Sequence, residues 1–343
     1  MNEELQIVPA VLEEYGAVTR KALREYLTPK APRRYLYDLI NDYPSRGGRM
    51  LRPSLCLATA RAYGAPLAYA IHAAVALELI HNAFLVHDDV EDESLERRGR
   101  PTLPAMHGVA LSVNVGDALA VTALRALLDS RGVLGHRLAG RVVEETERMM
   151  RESIEGQAMD LGWRQDNLTG LDERDYLDMV FRKTCWYTTI YPSRVGALVG
   201  GRDSETLDGF VRYGFFLGAA FQIQDDLLNL LGDHDAYGKE LSGDLWEGKR
   251  TLMVIELLRA SEGEERQRVA AILARPRSAR SRQDVAWLRR CMDEHGCIEY
   301  ARSVAHAMAG AAIHEASKIY GGLAPSRDKE FLEALPRWVL ARA

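Results

Sequence analysis

An all-α fold is what this sequence predicts, and three observations carry the prediction. Almost every apolar segment of the 343-residue chain recurs with the spacing of one helix face. No stretch alternates apolar and polar residues as a half-buried strand does. Glycine, proline, serine and asparagine gather in short clusters, and the intervals between them leave room for helices of many turns.

Those clusters fall in order at Pro29 to Pro32, Ser45-Arg46-Gly47-Gly48, Gly64-Ala65-Pro66, Arg98-Gly99-Arg100-Pro101, Asn167-Leu168-Thr169-Gly170, Gly200-Gly201 and Gly232 to Gly243. None is a long linker, and length alone fits either one large domain or two ordinary ones. The helix expected over Ile71 to Val86 is the most apolar long stretch. His72, Glu78, His81 and Asn82 interrupt it, so it suits a core rather than a bilayer. Near the other end, Arg275 to Arg282 is a basic run with no aromatic residue, as expected of a solvated surface loop and not of a nucleic-acid patch.

The net charge of −5, from 44 basic and 49 acidic side chains, offers nucleic acid no electrostatic attraction. Cys56, Cys185, Cys291 and Cys297 are scattered without a Cys-x-x-Cys pair, so neither a disulfide framework nor a zinc site is expected. The first residues lack the basic start and apolar run of a signal peptide. The expectation is a cytoplasmic protein with no stable membrane insertion.

Chemistry concentrates in His87-Asp88-Asp89-Val90-Glu91-Asp92 and Gln224-Asp225-Asp226-Leu227-Leu228-Asn229. Carboxylates do not gather on apolar helix faces unless positive charge compensates them. Asp88 and Asp92 stand one turn apart, about 6 Å along the axis, so both can face one divalent cation. Gln222, Asp225, Asp226 and Asn229 repeat that geometry, with Phe221, Ile223 and Leu227 as apolar surroundings. Two such faces turned towards each other would hold several Mg²⁺ ions, which take hard oxygen ligands and share them with phosphates.

Basic partners follow. Arg97-Arg98-Gly99-Arg100-Pro101 sets two adjacent guanidinium forks before a glycine and a proline that end the helix. Gly47-Gly48-Arg49-Met50-Leu51-Arg52-Pro53 joins a double glycine, which lets backbone approach a ligand, to two arginines three apart. His81 precedes Asp88 by two turns on the same face. Lys183-Thr184, Lys239 and Lys249 complete the polar set. Each alone also suits an ordinary helix end, turn, core histidine or surface lysine, and it is their association with the acidic clusters that gives them weight.

In this order the motifs resemble those of the trans-isoprenyl diphosphate synthases, the polyprenyl synthetase family of short-chain farnesyl and geranylgeranyl diphosphate synthases. The likeness runs from about Gly47 to Thr251. It passes through Gly-Gly-x-x-x-Arg-Pro, Asp-Asp-x-x-Asp followed by Arg-Arg-Gly-Arg-Pro-Thr, Lys183-Thr184, Phe-Gln-x-x-Asp-Asp at 221–226 and Gly-Asp-Leu-Trp-Glu-Gly-Lys at 243–249. The resemblance implies one isoprenoid synthase domain over residues 1–343, a single bundle of long helices around a central cavity, assembled as a homodimer.

It further implies a prenyltransferase that joins isopentenyl diphosphate head-to-tail to an allylic diphosphate, releasing pyrophosphate, with three Mg²⁺ ions per active site. Asp88, Asp92 and Asp225 would ligate metal, with Asp89, Asp226 and Lys183 as further catalytic residues. Arg97, Lys183, Thr184, Gln222, Lys239 and Lys249 would hold the allylic diphosphate; Arg49, Arg52, His81 and Arg98 would hold isopentenyl diphosphate. Two positions depart from the family pattern. Asn229 stands where Asp is usual and removes a negative charge, and Arg49 replaces the usual Lys, keeping the charge but changing the geometry of the contact.

The chemistry explains these residue types. Diphosphate leaves an allylic carbon only when its growing charge is neutralised in place by metal, Arg and Lys. The resulting cation needs a water-poor apolar pocket, and the family analogy makes the departing diphosphate the proton acceptor. Phe84, one turn below Asp88 and beside the small Ala83, should floor the cavity at a product of fifteen or twenty carbons, although a core phenylalanine would show the same spacing. A class I terpene cyclase ionises similar substrates but has no use for a second diphosphate site. A non-catalytic regulatory subunit of a hetero-oligomeric synthase usually loses the acidic clusters.

Overall fold

The structure is a computed structural model in which residues 5–201, 207–232 and 242–342 are described. Among them are sixteen α-helices, two π-helical segments, one 3-10 turn and a two-residue β-hairpin, which is the all-α class that the periodicity predicts. Helix α1 (Ile7–Tyr26) buries Val8, Val11, Leu12, Tyr15, Thr19 and Leu23, a stripe at helical spacing. A short π-helical segment (Arg33–Tyr37) and α2 (Asp42–Ser45) lead to the double glycine and α3 (Leu51–Ala62).

Helix α4 (Leu67–Glu91) is buried on every side from Ala73 to Ala83, so its apolar sequence belongs to the core. It ends ahead of the stop expected at Gly99 and Pro101, because Glu93 adopts the left-handed conformation (φ 51°) that terminates helices. The arginine-rich segment forms a hairpin instead, β1 (Glu96–Arg97) against β2 (Arg100–Pro101). Arg98 and Gly99 make its two-residue turn with φ of 54° and 69°, the left-handed pair that a tight hairpin requires.

Thr102 caps α5 (Leu103–His107), and α6 (Val109–Asp129) and α7 (Arg131–Gln165) follow. Reciprocal hydrogen bonds between Asp172 and Asp175 start α8 (Glu173–Val180). It continues directly into a ten-residue π-helical segment, Phe181–Ile190, and then α9 (Tyr191–Val199). Helix α10 (Gly209–Leu231) carries the second acidic cluster. The remaining helices are α11 (Gly243–Glu247), α12 (Leu252–Ala260), α13 (Gly263–Leu273), α14 (Arg282–Glu294), α15 (Cys297–Tyr320) and α16 (Arg327–Ala341).

Helix α4 packs along α6 and α3, while α10 packs along α15 and the π-helical segment, which also lies against α7. Glycines make room for that wider segment. A Cβ on Gly214 or Gly218 of α10 would fall 2.6 Å from the Ile190 Cγ1 or 2.7 Å from the Cys185 Sγ. By length and composition α4 and α6 could each cross a bilayer, but 78% of the most apolar stretch of α4 is buried inside the protein. All four cysteines are buried and unpaired. The basic run is solvated only in part, since Arg280 is buried, contrary to the surface loop expected.

Candidate active site

The two acidic clusters face one cavity of about 380 Å³. Asp88 and Asp92 line it from the end of α4, and Gln222, Asp225, Asp226 and Asn229 from α10. Lys183 and Thr184 reach it from the π-helical segment, and Lys249 from just beyond α11. Arg49, Arg52, His81, Arg97 and Arg98 lie around it as well. Asp89, Phe84 and Ala83 do not line it, and Lys239 lies outside the described residues. A wider cleft of about 790 Å³ opens between α8, α10 and α12, with Leu177, Phe181, Phe215 and Ile255 in its walls. It carries neither acidic cluster, and the two clusters meet in the first cavity.

Cations and carboxylates alternate across that cavity. Asp92 is 2.8 Å from both the Arg164 guanidinium and the Lys249 ammonium, Lys249 is 2.7 Å from Glu247, and Lys183 is 2.6 Å from Asp160. Burial disfavours charge on Asp92, but Lys249 and Arg164 outweigh it and hold the carboxyl well below the usual range. Burial likewise opposes the Lys183 charge, and Asp160 and Asp88 raise its pKa nonetheless. The Gln157 amide donates to Asp88 at 2.9 Å. The sequence does not single out Gln157, Asp160 or Arg164. Their spacing of three and seven on α7 was the signal, a polar stripe that an acid- and arginine-rich surface helix masks.

On the opposite wall, Thr184 donates to Gln222 (2.9 Å), and Gln222 (2.7 Å) and the Tyr176 hydroxyl (2.8 Å) both donate to Asp226. Asn229 serves backbone: its Oδ1 accepts the Asp244 N–H at 3.1 Å and its carbonyl accepts the Ser242 N–H at 2.8 Å. It therefore caps α11 and fixes Asp244, which lines the cavity and brings a carboxylate to this wall.

These oxygen donors suit a divalent cation of the Mg²⁺ type. Among the described residues no three acidic, histidine or cysteine side chains converge tightly enough to enclose an ion alone. Opposed carboxylates with a gap between them suit ions completed by diphosphate oxygens and water, the usual habit of Mg²⁺. Residues 33–292 match the family model for polyprenyl synthetases. The chain belongs to the polyprenyl synthetase family.

This polyprenyl synthetase is 30% identical over 302 residues to the short chain isoprenyl diphosphate synthase of Methanothermobacter thermautotrophicus, covering 86% of this chain and 87% of that one. The crystal structure of geranylgeranyl pyrophosphate synthetase from Pyrococcus horikoshii superposes with a TM-score of 0.86 at 30% identity, covering 99% of this chain and 100% of that one. Geranylgeranyl pyrophosphate synthase from Corynebacterium glutamicum, crystallised with isoprenyl diphosphate and magnesium, gives a TM-score of 0.86 at 26% identity over 97% of this chain and 99% of that one.

In this polyprenyl synthetase the two adjacent aspartates of the first cluster do different work. Asp89 is 0% exposed, accepts from the Tyr43 hydroxyl, and is gripped by Arg97 through Nε at 2.8 Å and Nη2 at 2.6 Å. The Arg97 fork lines the cavity and also holds Asp89, anchoring the hairpin to α4. Arg98 instead swings over the double glycine. It donates to the Gly47 carbonyl, and a Cβ on Gly48 would lie 2.9 Å from its Nη2. The glycines leave room for that guanidinium. Arg52 lies 4.2 Å from the centre of the Tyr187 ring and 3.4 Å from the His81 Nε2.

Burial, then the Asp244 charge, pushes the Asp226 carboxyl up to about 8. The unfolded chain releases that proton near the ordinary carboxyl value of 3.8. The folded state keeps it, so this contribution to stability is complete below pH 3.8 and is lost as pH rises through about 8. The melting temperature of the metal-free protein is expected to fall between about pH 6 and 8.5, and Asp226→Asn to flatten that slope. A flat wild-type profile would show instead that Tyr176 and Gln222 keep the carboxylate ionised throughout.

Proposed function

We infer that this polyprenyl synthetase is a prenyltransferase that condenses isopentenyl diphosphate with an allylic diphosphate, releasing pyrophosphate and giving an all-trans product of fifteen or twenty carbons. The observation that carries this reading is one cavity with basic side chains gathered at two places. Lys183 and Lys249 stand among opposed carboxylates at one, and Arg49, Arg52, His81 and Arg98 cluster at the other. A cyclase would leave the second without a purpose.

Bound Mg²⁺, three ions in our reading, would be held by Asp88, Asp92 and Asp225 and would supply electrostatic stabilisation of the leaving diphosphate. Lys183 and Lys249, held charged by their acidic partners, neutralise the same oxygens, while Thr184 and Gln222 orient them. Arg52 and His81, stacked about Tyr187, would together with Arg98 hold the second diphosphate so that its double bond faces the allylic carbon. Leu85, Met179, Val180 and Phe221 line the space between and exclude water from the cation.

The test is purified protein with Mg²⁺, isopentenyl diphosphate and dimethylallyl, geranyl or farnesyl diphosphate in turn, with products separated by chromatography. Pyrophosphate release that requires both substrates is expected. Hydrocarbon from an allylic diphosphate alone would establish the cyclase instead, and no release at all would point to the regulatory subunit.

Product length rests on Phe84 and Ala83. The Phe84 ring packs edge-on to Tyr187 at 5.8 Å between centroids, directly behind a cavity wall, and Ala83 is buried beside it. Phe84→Ala is expected to lengthen the products by one or more five-carbon units, and an unchanged distribution would place the floor elsewhere.

We also read the chain as one domain over its whole length, cytoplasmic, and paired as a homodimer through α6. Val121, Leu124 and Leu128 lie on one stripe of that helix and are 65%, 51% and 44% exposed. Leu124→Asp is expected to shift sedimentation from dimer to monomer, whereas a variant that still sediments as the dimer would move the interface to another face.

A further inference from the structure

The basic run from Arg275 to Arg282 has no part in the reaction as described, yet two of its arginines reach the wall that carries Lys249. Arg280 is 8% exposed. Its Nε and Nη2 donate to the carbonyls of Ile272 (3.2 Å) and Leu273 (2.8 Å), in the last turn of α13. Its Nη1 donates to the carbonyl of Trp246, in the last turn of α11. One guanidinium thus caps the C-termini of two helices, satisfying carbonyls that have no partner within either helix and carry the negative end of each dipole.

The same group presses on the turn before Lys249. Gly248 has φ of +70°, and a Cβ there would lie 2.4 Å from the Arg280 Nη2. Arg277 adds a second hold, with Nη1 3.6 Å from Glu247, the residue whose carboxylate is 2.7 Å from the Lys249 Nζ. From the other side Arg250 donates to the Leu168 carbonyl (3.1 Å) and the Asn167 Oδ1 (2.6 Å). Residues 246–250 are therefore clamped between two loops, and Lys249 is aimed at Asp92, 2.8 Å away.

We propose that Arg280, with Arg277, is a positioning residue for Lys249: the loop between α13 and α14 holds the lysine at the place where the leaving diphosphate gathers charge. The requirement is for a planar fork as well as a charge, because three carbonyls on two helices must be met at once, which an ammonium on a single stem does not do. This inference rests on the reading of the cavity as a diphosphate-ionising site.

The experiment compares Arg280→Lys and Arg277→Gln, each alone and with Lys249→Met, reading kcat, both KM values, thermal melting, and Mg²⁺-dependent binding of inorganic pyrophosphate by calorimetry. Arg280→Lys is expected to lower kcat about ten- to a hundredfold, the effect of a misplaced catalytic group, with KM for isopentenyl diphosphate within about twofold of wild type. It should weaken pyrophosphate binding as well. In the Lys249→Met background the same substitution should add less than about twofold, since a residue that acts through Lys249 has nothing left to position.

An equal loss with and without Lys249, or a folded Arg280→Lys enzyme with wild-type kinetics, overturns the proposal. If Arg280→Lys does not fold, Arg277→Gln carries the same cycle with a smaller expected loss of about threefold. A wild-type protein that binds pyrophosphate but never turns over would sink the proposed reaction. The inference would still be decided by whether Arg280→Lys weakens that binding only when Lys249 is present.

Discussion

Asp92→Asn is expected to lower kcat about a thousandfold, a rise of about 4 kcal/mol in the barrier. Asp92 is buried and stands 2.8 Å from both Arg164 and Lys249. Losing its charge would remove a metal ligand in the proposed site and, in the same stroke, the anion that separates two cations. Lys249 would keep Glu247 at 2.7 Å and Arg164 would keep Asp160 at 3.9 Å, so neither cation is stranded. The stability cost should therefore stay below the roughly 3–5 kcal/mol seen when a buried pair loses its sole partner. Steady-state kinetics at saturating substrate, repeated across a Mg²⁺ titration, separates the two effects. A fall in kcat of under tenfold, unresponsive to Mg²⁺, would remove Asp92 from the metal site.

What was legible in the sequence was whatever helical periodicity or motif order encodes. The all-α class and the core position of α4 follow from side chains placed every three or four residues, while the convergence of Asp88, Asp92, Asp225 and Asp226 follows from the motif order that the family resemblance supplies. Less legible was which of two neighbouring groups faces the cavity. Asp88 and Asp89 are adjacent in the motif but point about 100° apart on a helix, so one lines the site and the other anchors Arg97. Asn229 reads only as a missing negative charge in the motif, and the sequence does not announce that it also accepts a backbone N–H fifteen residues on. Arg280 reads as a surface charge because its acceptors are carbonyls of two other helices, which no local pattern announces. The π-helical segment carrying Lys183 and Thr184 has no sequence signature of its own either, being set by glycines on the helices around it.

That dependence makes Gly156→Ala the second substitution with a large expected effect. A Cβ at Gly156 of α7 would fall 2.2 Å from the Lys183 backbone nitrogen, 2.7 Å from its Cα and 2.8 Å from the Arg182 Cβ. Backbone atoms cannot rotate aside as a side-chain tip can, so the π-helical segment has to move as a unit. Its retreat is limited, because on the other side the segment lies against the bare backbone of Gly214 and Gly218, so close that a Cβ added there would meet Ile190, Cys185 and Thr189 at 2.6–2.9 Å. Overpacking of this kind costs about 1–3 kcal/mol or more, against about 1 kcal/mol gained from the better helix propensity of alanine. The melting temperature should accordingly fall by several degrees. Catalysis should suffer more than stability, since the 2.6 Å Lys183–Asp160 and 2.9 Å Thr184–Gln222 contacts shift together. A displacement of about 1 Å in such a pair is worth about a hundredfold in kcat/KM for the allylic substrate. Gly162→Ala, on the same helix with nothing within 4 Å of its Cβ position, supplies the control and should leave activity intact while raising stability slightly. Should both alanines behave alike, the close approach at Gly156 does not hold Lys183 in place, and the lysine owes its position to Asp160 alone.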